Sequence, residues 1–199
     1  MNSNLRLVLM RHGESQSGTN RTVGGHRGCR GLTPKGVLQV QRSTHELIHA
    51  KVAVDQVFCS SLRRSRQSAY IAAEALGVPV ASPSCLLCEL HPGSIDAVRF
   101  SDLGRPLARY VDDQGIGSGG ESPREFRERI LALLGLLTKD YRGLSLLLVT
   151  HFGVIDAFVR LFGLALNLPG ATNDVIWIEE GRSIIVEGNP SDGFSTLVM

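Results

Sequence analysis

Two histidines stand where a short apolar run ends, each with a glycine close behind. Leu7-Val8-Leu9-Met10 leads into Arg11-His12-Gly13, and Leu146-Leu147-Leu148-Val149 leads into Thr150-His151-Phe152-Gly153. A neutral imidazole is a competent nucleophile near pH 7, because its unperturbed pKa of about 6.5 leaves a large neutral fraction. Arginine presents planar paired donors that match a phosphoryl group. Arg11 beside the first histidine, the arginines in Ser60 to Arg64 after another apolar run, and a carboxylate at Glu89 complete a set suited to phosphoryl transfer. In such chemistry fixed donors act where phosphoryl charge spreads, so we expect no metal and no cofactor. Either histidine alone would read as a hydrogen-bonded turn residue, whereas two in the same layout point to an active site.

The elements that must position these residues follow from hydrophobic patterning. Both apolar runs are too short for helices and read as buried parallel strands, so the histidines fall just past strand carboxyl ends, where open α/β sheets bind ligands. The first strand ends near Met10, and a Gly- and Arg-rich loop continues to Gly31. Thr33-Pro34 predicts a helix start, with Val37, Val40, Thr44, Leu47 and Ile48 at helical spacing. A strand is expected over Val52 to Phe58, then a helix capped by Ser60 or Ser61 and stopped by Gly77 and Pro79, with a short strand over Val78 to Ala81. From Leu90 to Gly120 the pattern weakens, which predicts an irregular or partly helical insertion over the site. Ser122-Pro123-Arg124-Glu125 fits a capping box before another helix, Val154 to Leu166 a helix packed on the sheet, and Val175 to Ile178 with Ser183 to Val186 a closing hairpin. The expected architecture is a three-layer α/β/α sandwich with a mostly parallel central sheet. It forms one domain over residues 1–199 with a small inserted cap at about 90–120.

Composition narrows the partners. With 199 residues, 43% hydrophobic and 20% charged, the chain is an ordinary globular domain able to bury a sizeable core. The formal charge of +2 and the dispersed arginines argue against nucleic acid. No run reaches membrane-spanning length, and Met1-Asn2-Ser3-Asn4 carries no signal-peptide pattern, so we expect a cytoplasmic protein with no membrane partner. The four cysteines do not space as a disulfide framework and read as thiols. Cys85-Leu86-Leu87-Cys88 has redox or zinc-ligand spacing, but no second Cys/His pair lies at finger spacing. The apolar stretch Phe194 to Met199 could pack internally or pair with a second chain as a homodimer.

Leu9-Met10-Arg11-His12-Gly13-Glu14-Ser15 resembles the signature of the histidine phosphatase superfamily, also called the phosphoglycerate mutase-like family. The resemblance extends along nearly the whole chain. Cys59-Ser60-Ser61-Leu62-Arg63-Arg64-Ser65-Arg66-Gln67-Ser68-Ala69 is similar to its second block and selects Arg64, not Arg63, as the phosphate arginine. Leu87-Cys88-Glu89 with Gly93, then Gly119-Gly120-Glu121-Ser122, then Val149-Thr150-His151-Phe152-Gly153 complete the series in the family's order. The resemblance implies that His12 attacks phosphorus, that Arg11, Arg64 and His151 hold the equatorial oxygens, and that Glu89 protonates the leaving oxygen. Asn20-Arg21-Thr22-Val23-Gly24 resembles the substrate loop, giving Asn20, Arg21 and Gly24 as substrate-binding candidates beside Phe152 and Gly153. Phe152 departs from the family, which commonly has glycine there.

The implied function is a metal-independent phosphomonoesterase of the histidine acid phosphatase type, acting on a small phosphorylated metabolite. Two alternatives are a phosphoglycerate-type mutase and a non-catalytic module that binds phosphorylated ligands. Mutases of the family carry a longer insertion after the acid, whereas the span from Glu89 to Gly119 is short and holds the arginines Arg99, Arg105 and Arg109. The intact set of Arg11, His12, Arg64, Glu89 and His151 argues against a non-catalytic module. His45 and His49 lie at metal-ligand spacing on one helix but lack a third ligand, so they read as a solvated pair. His26, Arg27 and Arg30 make the loop after His12 basic, for a second anionic group or for solvent. His91 and Asp96 lie near Glu89 in the chain and could line the pocket.

Overall fold

A computed structural model describes residues 4–104, 117–161, 178–189 and 193–198. Its sheet has five strands in the order β2-β3-β1-β4-β5: β1 is Leu5–Arg11, β2 Gln56–Cys59, β3 Ser145–Thr150, β4 Ser183–Asn189 and β5 Gly193–Val198. β1 and β2 pair in parallel with β3, while β4 runs antiparallel to β1 and β5 antiparallel to β4, so β4 alone opposes the common direction. The central strands are apolar on both faces because helices cover both sides. Leu5, Leu7 and Leu9 of β1 join a core with α4 (Pro123–Asp140) and α5 (Phe152–Leu161). Val8 and Met10, pointing the other way along the pleat, join a second core with α2 (Pro34–His49) and α3 (Arg63–Leu76). The architecture is the expected three-layer α/β/α sandwich. None of the described helices is long and apolar enough to cross a membrane.

Several starts and stops follow local chemistry. Thr33 caps α2 by accepting from the Gly36 N–H, with Pro34 in the first turn. Ser122 and Glu125 form a reciprocal capping box on α4. Gly77 ends α3 in the left-handed conformation at φ 68°, which its missing Cβ allows.

Other expectations need correction. Neither Ser60 nor Ser61 caps α3, whose N-cap position is Leu62 without a side-chain cap, because Ser60 is drawn into the site described below. β2 begins at Gln56, later than Val52, and Val80 makes only an isolated parallel bridge to Val57. Ser183 to Val186 does enter a hairpin, with β5 as its partner. β4 is thus an internal strand between β1 and β5, and the carboxyl-terminal segment pairs within the chain. Residues 175–177, the α5 continuation to 166, and 105–116 of the expected cap lie outside the described residues. Before them, residues 85–87, 93–95 and 100–102 form single tight helical turns. A four-residue helix, α1 (Gln16–Thr19), follows the turn at His12 and Gly13, capped by Ser15.

Candidate active site

The parallel arrangement of β1, β2 and β3 brings three strand ends to one edge, and with them Arg11 and His12, Ser60 to Arg64, and His151. The His12 N–H donates to the Thr150 carbonyl, so the backbone itself ties the two histidine segments together. The His12 and His151 rings meet edge to face with centroids 5.0 Å apart. His12 Nδ1 lies 2.7 Å from the Gly13 carbonyl oxygen, which can only accept, so Nδ1 carries the proton. That leaves a lone pair on Nε2, which accepts from Arg64 Nε at 2.8 Å. Arg64 is buried between the histidines and also donates from one terminal nitrogen to His151 Nδ1 at 3.1 Å and from the other to the Gly24 carbonyl. Since arginine has no acceptor, His151 Nδ1 is unprotonated and its Nε2–H donates to Ser60 Oγ at 2.7 Å. Burial, reinforced by the Arg64 guanidinium, holds both imidazoles well below their ordinary pKa, so both are neutral.

Close backbone approach makes room for this. A Cβ on Gly13 would overlap the Gly36 carbonyl oxygen, so the first turn of α2 sits against the turn after His12 only because position 13 is bare. Arg11 leaves the strand end to donate to the Ile178 carbonyl at 2.7 Å, with Glu180 at 3.7 Å. Burial lowers its pKa from the usual value, opposed by the nearby charges of Glu180 and Glu89. The guanidinium lies 5.8 Å from the centre of the Phe152 ring, which gives Phe152 a packing role against Arg11.

Glu89 reaches the same edge from a different direction. Its Oε2 accepts from the Gly153 N–H at 3.0 Å and its Oε1 from the Leu90 N–H at 3.1 Å. A Cβ on Gly153 would overlap the Glu89 carboxylate, so glycine is required there by the acid it faces. The segment preceding Glu89 is irregular and is fixed by side chains. Thr150 Oγ1 donates to the Leu87 carbonyl at 2.7 Å, and Arg129 of α4 donates to the carbonyls of Leu86 and Cys88 at 3.0 and 2.9 Å. Arg129 is held in turn by both carboxylate oxygens of Glu121, at 2.7 and 2.6 Å. Glu121 closes the frame by accepting from the His91 N–H. A cavity of about 470 Å³ borders Glu89, lined among others by Leu90, Phe126, Gly153, Ala157 and Leu161.

The structure thus gathers Arg11, His12, Arg64, His151 and Glu89, and joins Gly24 and Gly153 to them by direct contact. Asn20 and Arg21 are exposed on the loop, and no side-chain hydrogen bond among the described residues links them to the five. Asp96, which could line the pocket or only hold its loop, does the second. Its buried carboxylate accepts from the N–H groups of Gly25, Arg27 and Gly28 and so shapes the loop after His12. His45 and His49 are both exposed, as a solvated pair would be. Ser60 and Arg129 are the residues that sequence reasoning missed. Ser60 reads equally well as a cap, and nothing local to Arg129 marks its partner.

The chain is similar to known phosphatases and to a mutase-like protein. An adenosylcobalamin/alpha-ribazole phosphatase of Escherichia coli K12 is 30% identical over 168 residues, covering 80% of each chain. A phosphoglycerate mutase-like protein of Arabidopsis thaliana is 28% identical, over 75% of this chain and 67% of that one. Among solved structures, a putative alpha-ribazole-5'-P phosphatase from Escherichia coli superposes with a TM-score of 0.77 at 26% identity, covering 98% of this chain and 95% of that one. A mycobacterial glucosyl-3-phosphoglycerate phosphatase shares the fold, with a TM-score of 0.75 at 22% identity over 97% of this chain and 96% of that one. The histidine phosphatase superfamily (branch 1) model matches residues 7–177, a span that runs from β1 through every group gathered at this edge, and the chain belongs to that family.

Proposed function

We propose that the protein hydrolyses a small phosphomonoester through a phosphohistidine on His12. The observation that carries this reading is the unprotonated Nε2 of His12, fixed by its Nδ1–H bond to Gly13 and directed at the Arg64 guanidinium. A phosphoryl group entering there takes over the Arg64 donors, and the released lone pair attacks phosphorus. The N–P bond forms as the P–O bond to the leaving group breaks. Arg64, Arg11 and His151 hold the equatorial oxygens in a buried setting, where fixed donors act most strongly. Glu89, on the opposite wall, gives its proton to the leaving oxygen, and we place the leaving group's carbon skeleton in the cavity beside it. Water then attacks the phosphohistidine, gives its proton to the Glu89 carboxylate, and free phosphate departs.

A phosphatase is favoured over a mutase by the first relatives and by the short segment after Glu89. The first substrates to try are alpha-ribazole 5'-phosphate, sugar phosphates and phosphorylated carboxylic acids. The reading includes a cytoplasmic setting, where the four cysteines, none in a disulfide, stay reduced. The test compares the parent with His12→Ala for phosphate release and for phosphate retained on the protein after acid-free quenching. We expect release and a trapped phosphoprotein in the parent and neither in the folded variant. Release that persists without His12 rejects the mechanism. Exchange between substrate positions that outpaces release, with dependence on a bisphosphate primer, gives the mutase.

A further inference from the structure

We propose that His26, Cys85, Cys88 and His91 form a four-ligand site for a zinc-class metal ion, separate from the phosphoryl pocket and built to tie the two sides of that pocket together. One ligand atom from each lies within 4.8 Å of all the others. Tetrahedral zinc, with bonds of about 2.3 Å to sulfur and 2.0–2.1 Å to nitrogen, sets neighbouring donors roughly 3.3–3.8 Å apart. Cys85 Sγ is already 3.5 Å from His26 Nε2 and 3.3 Å from Cys88 Sγ. The two imidazoles face the same point from different directions, with ring centroids 5.9 Å apart and planes at 76°. His91 Nε2 is buried without a hydrogen-bond partner among the described residues, a costly state for a polar atom unless something else satisfies it.

The surroundings fit a metal centre. Ser61 Oγ lies 2.9 Å from Cys85 Sγ and 3.1 Å from Cys88 Sγ, placed to donate to a thiolate. Arg129 binds the carbonyls of both cysteines, which fixes the turn that presents the sulfurs. Two thiolates and two imidazoles select zinc over the hard cations magnesium and calcium, and four protein ligands make a closed, structural site. A Cys85–Cys88 disulfide would use the two sulfurs and leave both histidines unexplained. The placement gives the ion its role: Cys88 and His91 bracket Glu89 in the chain, and His26 follows Gly24, whose carbonyl receives Arg64. One ion would therefore brace the acid's segment against the loop after the nucleophile.

The test uses the full chain without a polyhistidine tag, purified under reducing conditions. Metal content is measured by mass spectrometry, and chelator-stripped protein is titrated with zinc and with cobalt(II). We expect one zinc per chain, a zinc-dependent rise in Tm, and a cobalt spectrum with a thiolate charge-transfer band and tetrahedral intensity. Cys85→Ser and His26→Ala change exposed positions, so both should fold by circular dichroism, and each should weaken zinc binding by about 100-fold or more. Sub-stoichiometric zinc, a cobalt spectrum without the thiolate band, or uptake unchanged in both variants overturns the site. Oxidation of Cys85 and Cys88 to a disulfide at a rate indifferent to zinc also overturns it, in favour of a redox pair. None of these readouts depends on phosphate release, so they stand or fall apart from the phosphatase reading.

Discussion

The two walls of the candidate site are built in different ways. On the proposed nucleophile wall, His12, Arg64 and His151 sit at the ends of β1, the start of α3 and the end of β3, each nearly or wholly buried, and backbone ladders fix their spacing. On the acid wall, Glu89 hangs from a segment with no strand or long helix, held by Arg129, Glu121 and Thr150. The first wall is rigid because the sheet is rigid. The second is as rigid as a few polar contacts make it. The proposed phosphoryl transfer, in which the phosphoryl group is constant and the leaving group differs between substrates, is served by that division of regular and irregular structure.

That contrast can be broken or sharpened by mutation. The largest effect belongs to the nucleophile wall: His12→Ala should lower phosphate release by about 10⁴-fold or more on every substrate, without regard to leaving group. Next come Glu89→Gln and Gly153→Ala, the latter because its methyl displaces the Glu89 carboxylate. Both should cost roughly 10²- to 10⁴-fold on an alkyl phosphate, whose leaving oxygen needs a proton, and far less on a nitrophenyl phosphate. Equal losses on the two substrates would erase the division of roles between the walls. Arg129→Leu removes the frame and not the acid. Because its partner Glu121 is left nearly buried without a countercharge, a loss of about 3 kcal/mol in urea unfolding is expected, together with the same leaving-group selectivity.

The nucleophile wall also predicts how stability depends on pH. His12 and His151 are held neutral in the folded chain, whereas the unfolded chain protonates both below about pH 6.5. The folded pKa values are depressed, so unfolding takes up protons on the acid side. The stability they support is present above pH 6.5 and falls as pH drops, by up to about 2.7 kcal/mol per unit for the pair. Denaturation curves at pH 7.5 and 5.5 measure this, and a flat profile would show that these imidazoles charge in place. The smallest effect is expected for Ser60→Ala, which strands the His151 Nε2–H: about 1–3 kcal/mol of stability, with a loss of activity near tenfold.

The same contrast explains what could be read ahead of the structure. Apolar runs ending in Arg11-His12 and Thr150-His151 placed both histidines past strand ends, because burial on both faces leaves a continuous apolar signature. Thr33-Pro34, Ser122 with Glu125, and Gly77 were legible for a similar reason: each acts within a few residues of itself. Ser60 was misread as a cap because a hydroxyl at a strand end has two local uses, and only the approach of His151 chooses between them. The β4–β5 hairpin is local in the chain, but the apolar stretch from Phe194 does not by itself name its partner, and only the sheet decides that it pairs with β4 and not with a second chain. Cys85 and Cys88 looked isolated for want of a neighbouring pair in sequence, yet folding sets His26 and His91 beside them.

The sequence by itself determined β1, β3 and the starts of α2 and α4, and its motif order singled out the five groups gathered at the site, since periodicity, capping and motif order are short-range properties of the chain. Only the tertiary structure decided which tautomers the histidines adopt, what Arg129 and Asp96 are for, and that four sulfur and nitrogen ligands share one corner. Those are contacts between residues tens of positions apart, and their energy exists only once the sheet has brought them together.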